Sequence, residues 1–256
     1  MKEFQELVDI LSRLRDPVSG CPWDAKQTSR SLVPNFIEEL YEAVEAIEDN
    51  DPRALCEELG DLLLHIVFQA RIAEEEGQFD IREVLSKISA KLIRRHPHVF
   101  GDADVRDSEA VKLNWERIKK AEKTDRISVL EGIPRALPAL IHAQRSQEKA
   151  AAVGFDWDSV KPVLDKLREE EDEFQAALAS QDSAAISEEL GDMLFTLVNL
   201  ARKLQIDAEG ALKETTRKFH QRFRYIEEHY RQNGANIHEA SLEELDALWN
   251  LAKEDQ

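Results

Sequence analysis

The chain has 256 residues, enough for one large domain or two of ordinary size, and carries 34 Lys+Arg against 52 Asp+Glu, a net charge of -18. Such a field repels nucleic acid and anionic membranes, so neither is expected as a partner. Gly (9) and Pro (8) are scarce for this length, and long strand-like alternations are missing, which together predict an all-α protein.

Phe4, Leu7, Val8, Leu11 and Leu14 recur at a helical period over residues 1–15, and this N-terminus lacks the apolar core of a secretory signal. Pro17, Gly20 and Pro22 end that helix, and Cys21-Pro22-Trp23-Asp24 reads as a loop carrying one large aromatic. Phe36, Leu40, Val44 and Ile47 line the next helix. The chain turns at Asp49 to Pro52, where Asp51 is placed to cap and Pro52 to open the following helix. Leu55, Leu59, Leu62, Leu63, Ile66 and Val67 form its apolar stripe. The most apolar stretch, Leu62 to Ala70, is too short to span a bilayer.

A third helix is predicted from Asp80 to the residue before Pro97, with Val84, Leu85, Ile88 and Leu92 inward. Residues 101–110 read as a linker and Asn114 to Lys123 as a charged helix. Pro134 and Pro138 bracket a short element. From Ser159 the order repeats. Leu164, Leu167, Phe174 and Leu178 mark one helix, and Asp182 is placed to cap a second bearing Ile186, Leu190, Met193, Leu194, Leu197 and Val198. A third runs from Asp207 through Arg231, and a last one from Leu242 to Ala252 carries Trp249. Cys21 and Cys56 are too few for a disulfide framework, which predicts a cytoplasmic protein.

The repetition is explicit. Positions 38–71 and 169–202 align without a gap and agree at 15 of 34 places. Glu38-Glu39-x-x-Glu42 precedes Glu57-Glu58-Leu59-Gly60-Asp61, and Glu169-Glu170-x-x-Glu173 precedes Glu188-Glu189-Leu190-Gly191-Asp192. Two related helical bundles follow, with expected boundaries at 1–123 and 124–256.

Residues three or four apart share a helix face, so Glu39 with Glu42 and Glu58 with Asp61 make compact acid groups that an antiparallel hairpin can bring face to face. A solvated face is the ordinary reading of any single Glu pair. Finding the pattern twice at identical spacing, while Leu40/Glu171 and Ala43/Phe174 diverge, points instead to a site for a hard divalent cation. A di-iron carboxylate bundle would need Glu-x-x-His on two helices, and Asp61 and Asp192 stand where those histidines belong. His65, whose counterpart is Thr196, reads as an ordinary bundle-face residue.

The ordered set resembles the all-α nucleoside triphosphate pyrophosphohydrolases, and within them the long two-repeat MazG proteins. Its parts are Gly20 to Asp24 with Gln27-Thr28, both EELGD segments, Arg94 to Phe100, Asn114-Trp115-Glu116, Gly132-Ile133-Pro134 with Leu137 to Leu140, and Val153 to Trp157. The resemblance implies hydrolysis of NTPs or dNTPs to monophosphate and pyrophosphate with Mg²⁺, Mn²⁺ being the alternative ion, in a homodimer. It implies Glu39, Glu42, Glu58 and Asp61 as metal ligands in one half, and Glu170, Glu173, Glu189 and Asp192 in the other.

On that reading a metal-activated water attacks the α-phosphorus, with Glu38 or Glu169 as its base. Lys218 and Arg222, or Lys91 and Arg95, meet the leaving pyrophosphate. The second half is favoured as the working one, because Pro97 interrupts the first soon after Arg95. Trp249 is a candidate stacking surface, whereas Trp23, Trp115 and Trp157 read as loop anchors. A non-catalytic helical adaptor and a metal-dependent nucleotide sensor are the rival functions.

Overall fold

The computed structural model describes residues 2–101, 111 and 128–254. The predicted linker at 101–110, the helix at 114–123 and Trp115 lie almost wholly outside them. The described residues form helices and turns and no strand. The chain divides into two compact units, Met1–Thr124 and Asp125–Gln256.

In the first unit α1 (Lys2–Leu14) packs on α4 (Pro52–Glu75), and α3 (Val33–Glu48) and α4 form an antiparallel hairpin. Asp51 caps α4 as expected, accepting from the backbone N–H groups of Arg53 and Ala54, with Pro52 opening the helix. Cys21 to Asp24 is not the loop expected. Pro22, at a position that needs no N–H donor, starts a five-residue helix, α2 (Pro22–Lys26). Buried Arg15 holds it: one guanidinium N–H₂ donates to the carbonyls of Asp24 and Gln27, while Nε and the other group engage Glu75. Leu11, Leu32, Val67, Phe68 and Ile72 make the core.

α5 (Ile81–Arg95) starts at Asp80, whose carboxylate accepts from the N–H of Glu83, and ends before α6 (Pro97–Phe100). Its expected inward face is corrected. Leu85, Ile88 and Leu92 are exposed, since α5 meets only α4 and α6 closely among the described elements. The hairpin stripe is likewise displaced. Ala43 and Ala46 are the buried residues of α3, while Phe36, Leu40, Ile47, Leu59, Leu63 and Ile66 keep exposed faces. Small residues let the helices approach closely, so the large ones are turned outward.

The second unit adds a helix the sequence reading missed. Pro134 and Pro138 bracket only turns, and α7 (Ala139–Ala151) begins directly after Pro138. α8 (Val160–Ser180) and α9 (Ser183–Lys203) form the second hairpin, with Asp182 capping α9 through the N–H groups of Ala184 and Ala185. α10 (Ala208–Gln232) packs on α11 (Leu242–Glu254) and on α7. Val163, Ala177, Val198, Ile226, Leu248 and Ala252 are buried here.

Candidate metal centre

Each hairpin carries its acids on the two helices that face each other. In the first, oxygens of Glu39 from α3 and of Glu58 and Asp61 from α4 lie within 4.8 Å of one another. In the second, Glu170 and Glu173 from α8 and Glu189 from α9 do the same. Glu42 and Asp192 stand outside those tightest triplets but belong electrostatically to them: Glu42 acts on Glu39 and Glu58, and Asp192 on Glu189.

The electrostatics are those of crowded like charges. Loss of solvent raises the Glu39 carboxyl above its ordinary pKa, and the charges of Asp61 and Glu42 add to the rise. Glu58 is raised first by desolvation and then by Glu42 and Asp61, Glu189 by desolvation and then by Glu173 and Asp192. Such a group calls for a proton or a cation. Its donors are all carboxylate oxygens, which suit a hard divalent ion and exclude a soft-metal site. The residues therefore fit magnesium or manganese.

Two neighbours were not singled out as parts of these groups from sequence. His65 is buried rather than an ordinary face residue, with Nε2 4.0 Å from Glu39 Oε1 and its ring 5.7 Å from that of Phe36. Burial holds its pKa down against the opposing pull of Asp61. Lys166 donates to Glu169 at 2.7 Å and pairs with Glu170 at 2.9 Å. These hydrogen bonds to Glu169, then to Glu170, push its pKa well above the lysine range. An i,i+3 and i,i+4 spacing to the acids was the signal available. Glu38 is exposed, whereas Glu169 is engaged by that lysine.

The proposed phosphate cations stand on α10 and α5, not on the hairpin helices that carry the acids. Lys218 is exposed and lies 3.4 Å from Glu214. Arg222 sits 5.5 Å over the Trp249 ring, which also meets Phe219 at 5.1 Å. Their helix α10 packs chiefly on α11 and α7. In the first unit Arg95 is buried and Lys91 is exposed on the wall of a cavity of ≈ 340 Å³. Trp23 is exposed rather than a buried anchor, and Trp157 lines a cavity of ≈ 430 Å³ with Phe155, Phe195 and Asn199. The acids line neither cavity.

The MazG nucleotide pyrophosphohydrolase domain model matches residues 27–100 and again 158–226, so each match holds one acid group. A nucleoside triphosphate pyrophosphohydrolase of Escherichia coli (strain K12) is 44% identical over 260 residues, covering 100% of this chain and 99% of the relative. The nucleoside triphosphate pyrophosphohydrolase/pyrophosphatase MazG of Thermotoga maritima is 46% identical over 251 residues, covering 98% and 95%. A crystal structure of a MazG-related protein from Thermotoga maritima aligns with 47% of this chain and 99% of its own, at 27% identity and a TM-score of 0.40. The chain belongs to the MazG nucleotide pyrophosphohydrolase family, as a member with two repeats.

Proposed function

We propose that this protein hydrolyses nucleoside and deoxynucleoside triphosphates to the monophosphate and pyrophosphate. Glu170, Glu173, Glu189 and Asp192, and in the other unit Glu39, Glu42, Glu58 and Asp61, would hold Mg²⁺, with Mn²⁺ as the alternative ion. The observation that carries this reading is the convergence of facing carboxylates in both hairpins, in a chain of this family. A divalent ion supplies Lewis acidity toward phosphate oxygens and makes water a stronger acid at neutral pH.

The chain's own residues then divide the remaining work. Holding such an ion, the acids would no longer repel a polyanionic substrate. In the second unit Glu169, and in the first the exposed Glu38, accepts the proton of the water that attacks the α-phosphorus. Lys166 donates to one oxygen of Glu169, Oε1, and helps to orient it. Lys218 and Arg222 meet the pyrophosphate as it leaves, and Trp249 holds the Arg222 guanidinium by its ring face. Lys91 and Arg95 are the corresponding pair of the first unit.

Both hairpins also leave leucines at matching positions in solvent, Leu59 and Leu190, Leu63 and Leu194. Such faces support a homodimer in which a second copy covers them. No helix among the described residues is long and apolar enough to cross a membrane. Cys21 and Cys56 are free thiols, consistent with work in the cytoplasm.

The decisive experiment incubates the protein with a panel of NTPs and dNTPs, with and without Mg²⁺, and separates the products. Monophosphate plus pyrophosphate, formed only with the ion, is expected. Diphosphate plus phosphate overturns the proposal, binding without turnover marks a nucleotide sensor, and neither marks an adaptor. Hydrolysis in ¹⁸O-water places label in the monophosphate if the α-phosphorus is attacked.

A further inference from the structure

The two acid groups match position for position, yet the charge built beside them differs. In the second unit Lys166 precedes Glu170 by one helical turn, its Nζ 2.9 Å from Glu170 Oε1 and 2.7 Å from Glu169 Oε1. The Glu170 side chain is only 6% exposed, so solvent screens this pair weakly. The counterpart of Lys166, 131 positions earlier, is Asn35, which is neutral. There the basic group facing Glu39 is His65, 4.0 Å away. Among the described residues no lysine or arginine ion pair reaches Glu38, Glu39, Glu42, Glu58 or Asp61.

We propose that Lys166 is a resident counter-ion that competes with the divalent cation for Glu170, so that the first unit's acids load at lower ion concentration than the second unit's. The inference rests on the assignment of the acids as metal ligands. An ion entering the second group must displace an ammonium at hydrogen-bond distance or share Glu170 with it, and either route weakens its net attraction. An ion entering the first group displaces nothing comparable. The same lysine gives the buried Glu170 a partner when the ion has left, since an uncompensated buried carboxylate is strongly destabilising. The repeats have thus diverged in ion affinity while keeping every ligand.

The test measures Mn²⁺ binding by electron paramagnetic resonance of the free ion, on the whole chain, with one acid group disabled at a time. E58Q leaves the second group intact and E189Q leaves the first. The dissociation constant of the E58Q chain is expected to exceed that of the E189Q chain by about fivefold or more, the scale of one partly screened charge near the ion. Adding K166N to E58Q tightens binding, and adding N35K to E189Q weakens it. K166M, which keeps the aliphatic stem, replaces K166N if circular dichroism shows the latter unfolded. Equal constants for E58Q and E189Q, or constants that ignore both exchanges, overturn the proposal. Absence of Mn²⁺ binding in the unmodified chain instead removes the metal-ligand assignment beneath it.

Discussion

Asp156 accepts from both terminal nitrogens of Arg202, at 3.1 and 2.6 Å, and from Lys203 at 2.7 Å, tying the segment before α8 to the end of α9. Arg202 first, and Lys203 with it, hold the Asp156 carboxyl at about 2, below its ordinary 3.8. A depressed folded-state pKa contributes stability that is present above pH 3.8 and lost as the pH falls through 2. Discounted for solvent screening, D156N should cost about 1 kcal/mol at pH 7. Its Tm deficit against the unmodified protein should shrink between pH 4 and pH 2. A deficit independent of pH would assign the loss to something other than this charge.

The acid groups predict the opposite slope. Glu189 is raised in the folded state, so without an ion it contributes stability at low pH that is lost as the pH rises through its raised pKa. In EDTA at pH 8, E189Q should therefore melt above the unmodified protein, and E58Q likewise, with the gap closing toward pH 4. Adding Mg²⁺ should raise the Tm of the unmodified chain more than that of either variant. Melting curves with and without chelator decide this.

Turnover should separate the units. E189Q is expected to lower kcat by at least about 100-fold, the scale of removing one electrostatic stabiliser, whereas E58Q stays within about threefold. Equal losses would mean that the halves work equally.

Arg222 and Trp249 allow a finer test. R222K keeps the charge but loses the planar group that lies over the ring. It should raise KM for a triphosphate by several-fold, K218A should do the same, and neither should shift Tm by more than about 2 °C. Unchanged steady-state constants would leave both cations as surface charges.

Leu59 is 53% exposed and Leu190 48% exposed on the hairpins' outer faces. If a second copy covers them, L59E and L190E should lower the mass seen by light scattering to that of one chain. A mass unaffected by both changes would place any subunit contact elsewhere.

The sequence made the helices and their caps legible because Asp51, Asp80 and Asp182 act locally, through backbone N–H groups two or three residues away. The acid spacing was legible for the same reason. Which apolar face turns inward was not, since the α3 stripe of Phe36, Leu40 and Ile47 has the period of a buried face but yields the interior to Ala43 and Ala46. A periodic stripe marks surface suited to burial without saying what covers it. His65 was misread because its burial depends on how α3 and α4 meet. Lys166 lay in plain view, one turn before Glu170, but its distance of 2.9 Å is a fact of rotamers.

The hairpin turns carry one more consequence. Asn50 and Gln181, 131 positions apart, both adopt the left-handed conformation, at φ 54 and 57, immediately before the capping Asp51 and Asp182. Each turn thereby sets how far one helix is wound against its mate. A single residue inserted within the second helix, ahead of its acids, would rotate its carboxylates by about 100° and carry them away from the opposite pair. Descent of these repeats can change letters freely but must conserve arithmetic: the count between EExxE and ExxD is itself inherited.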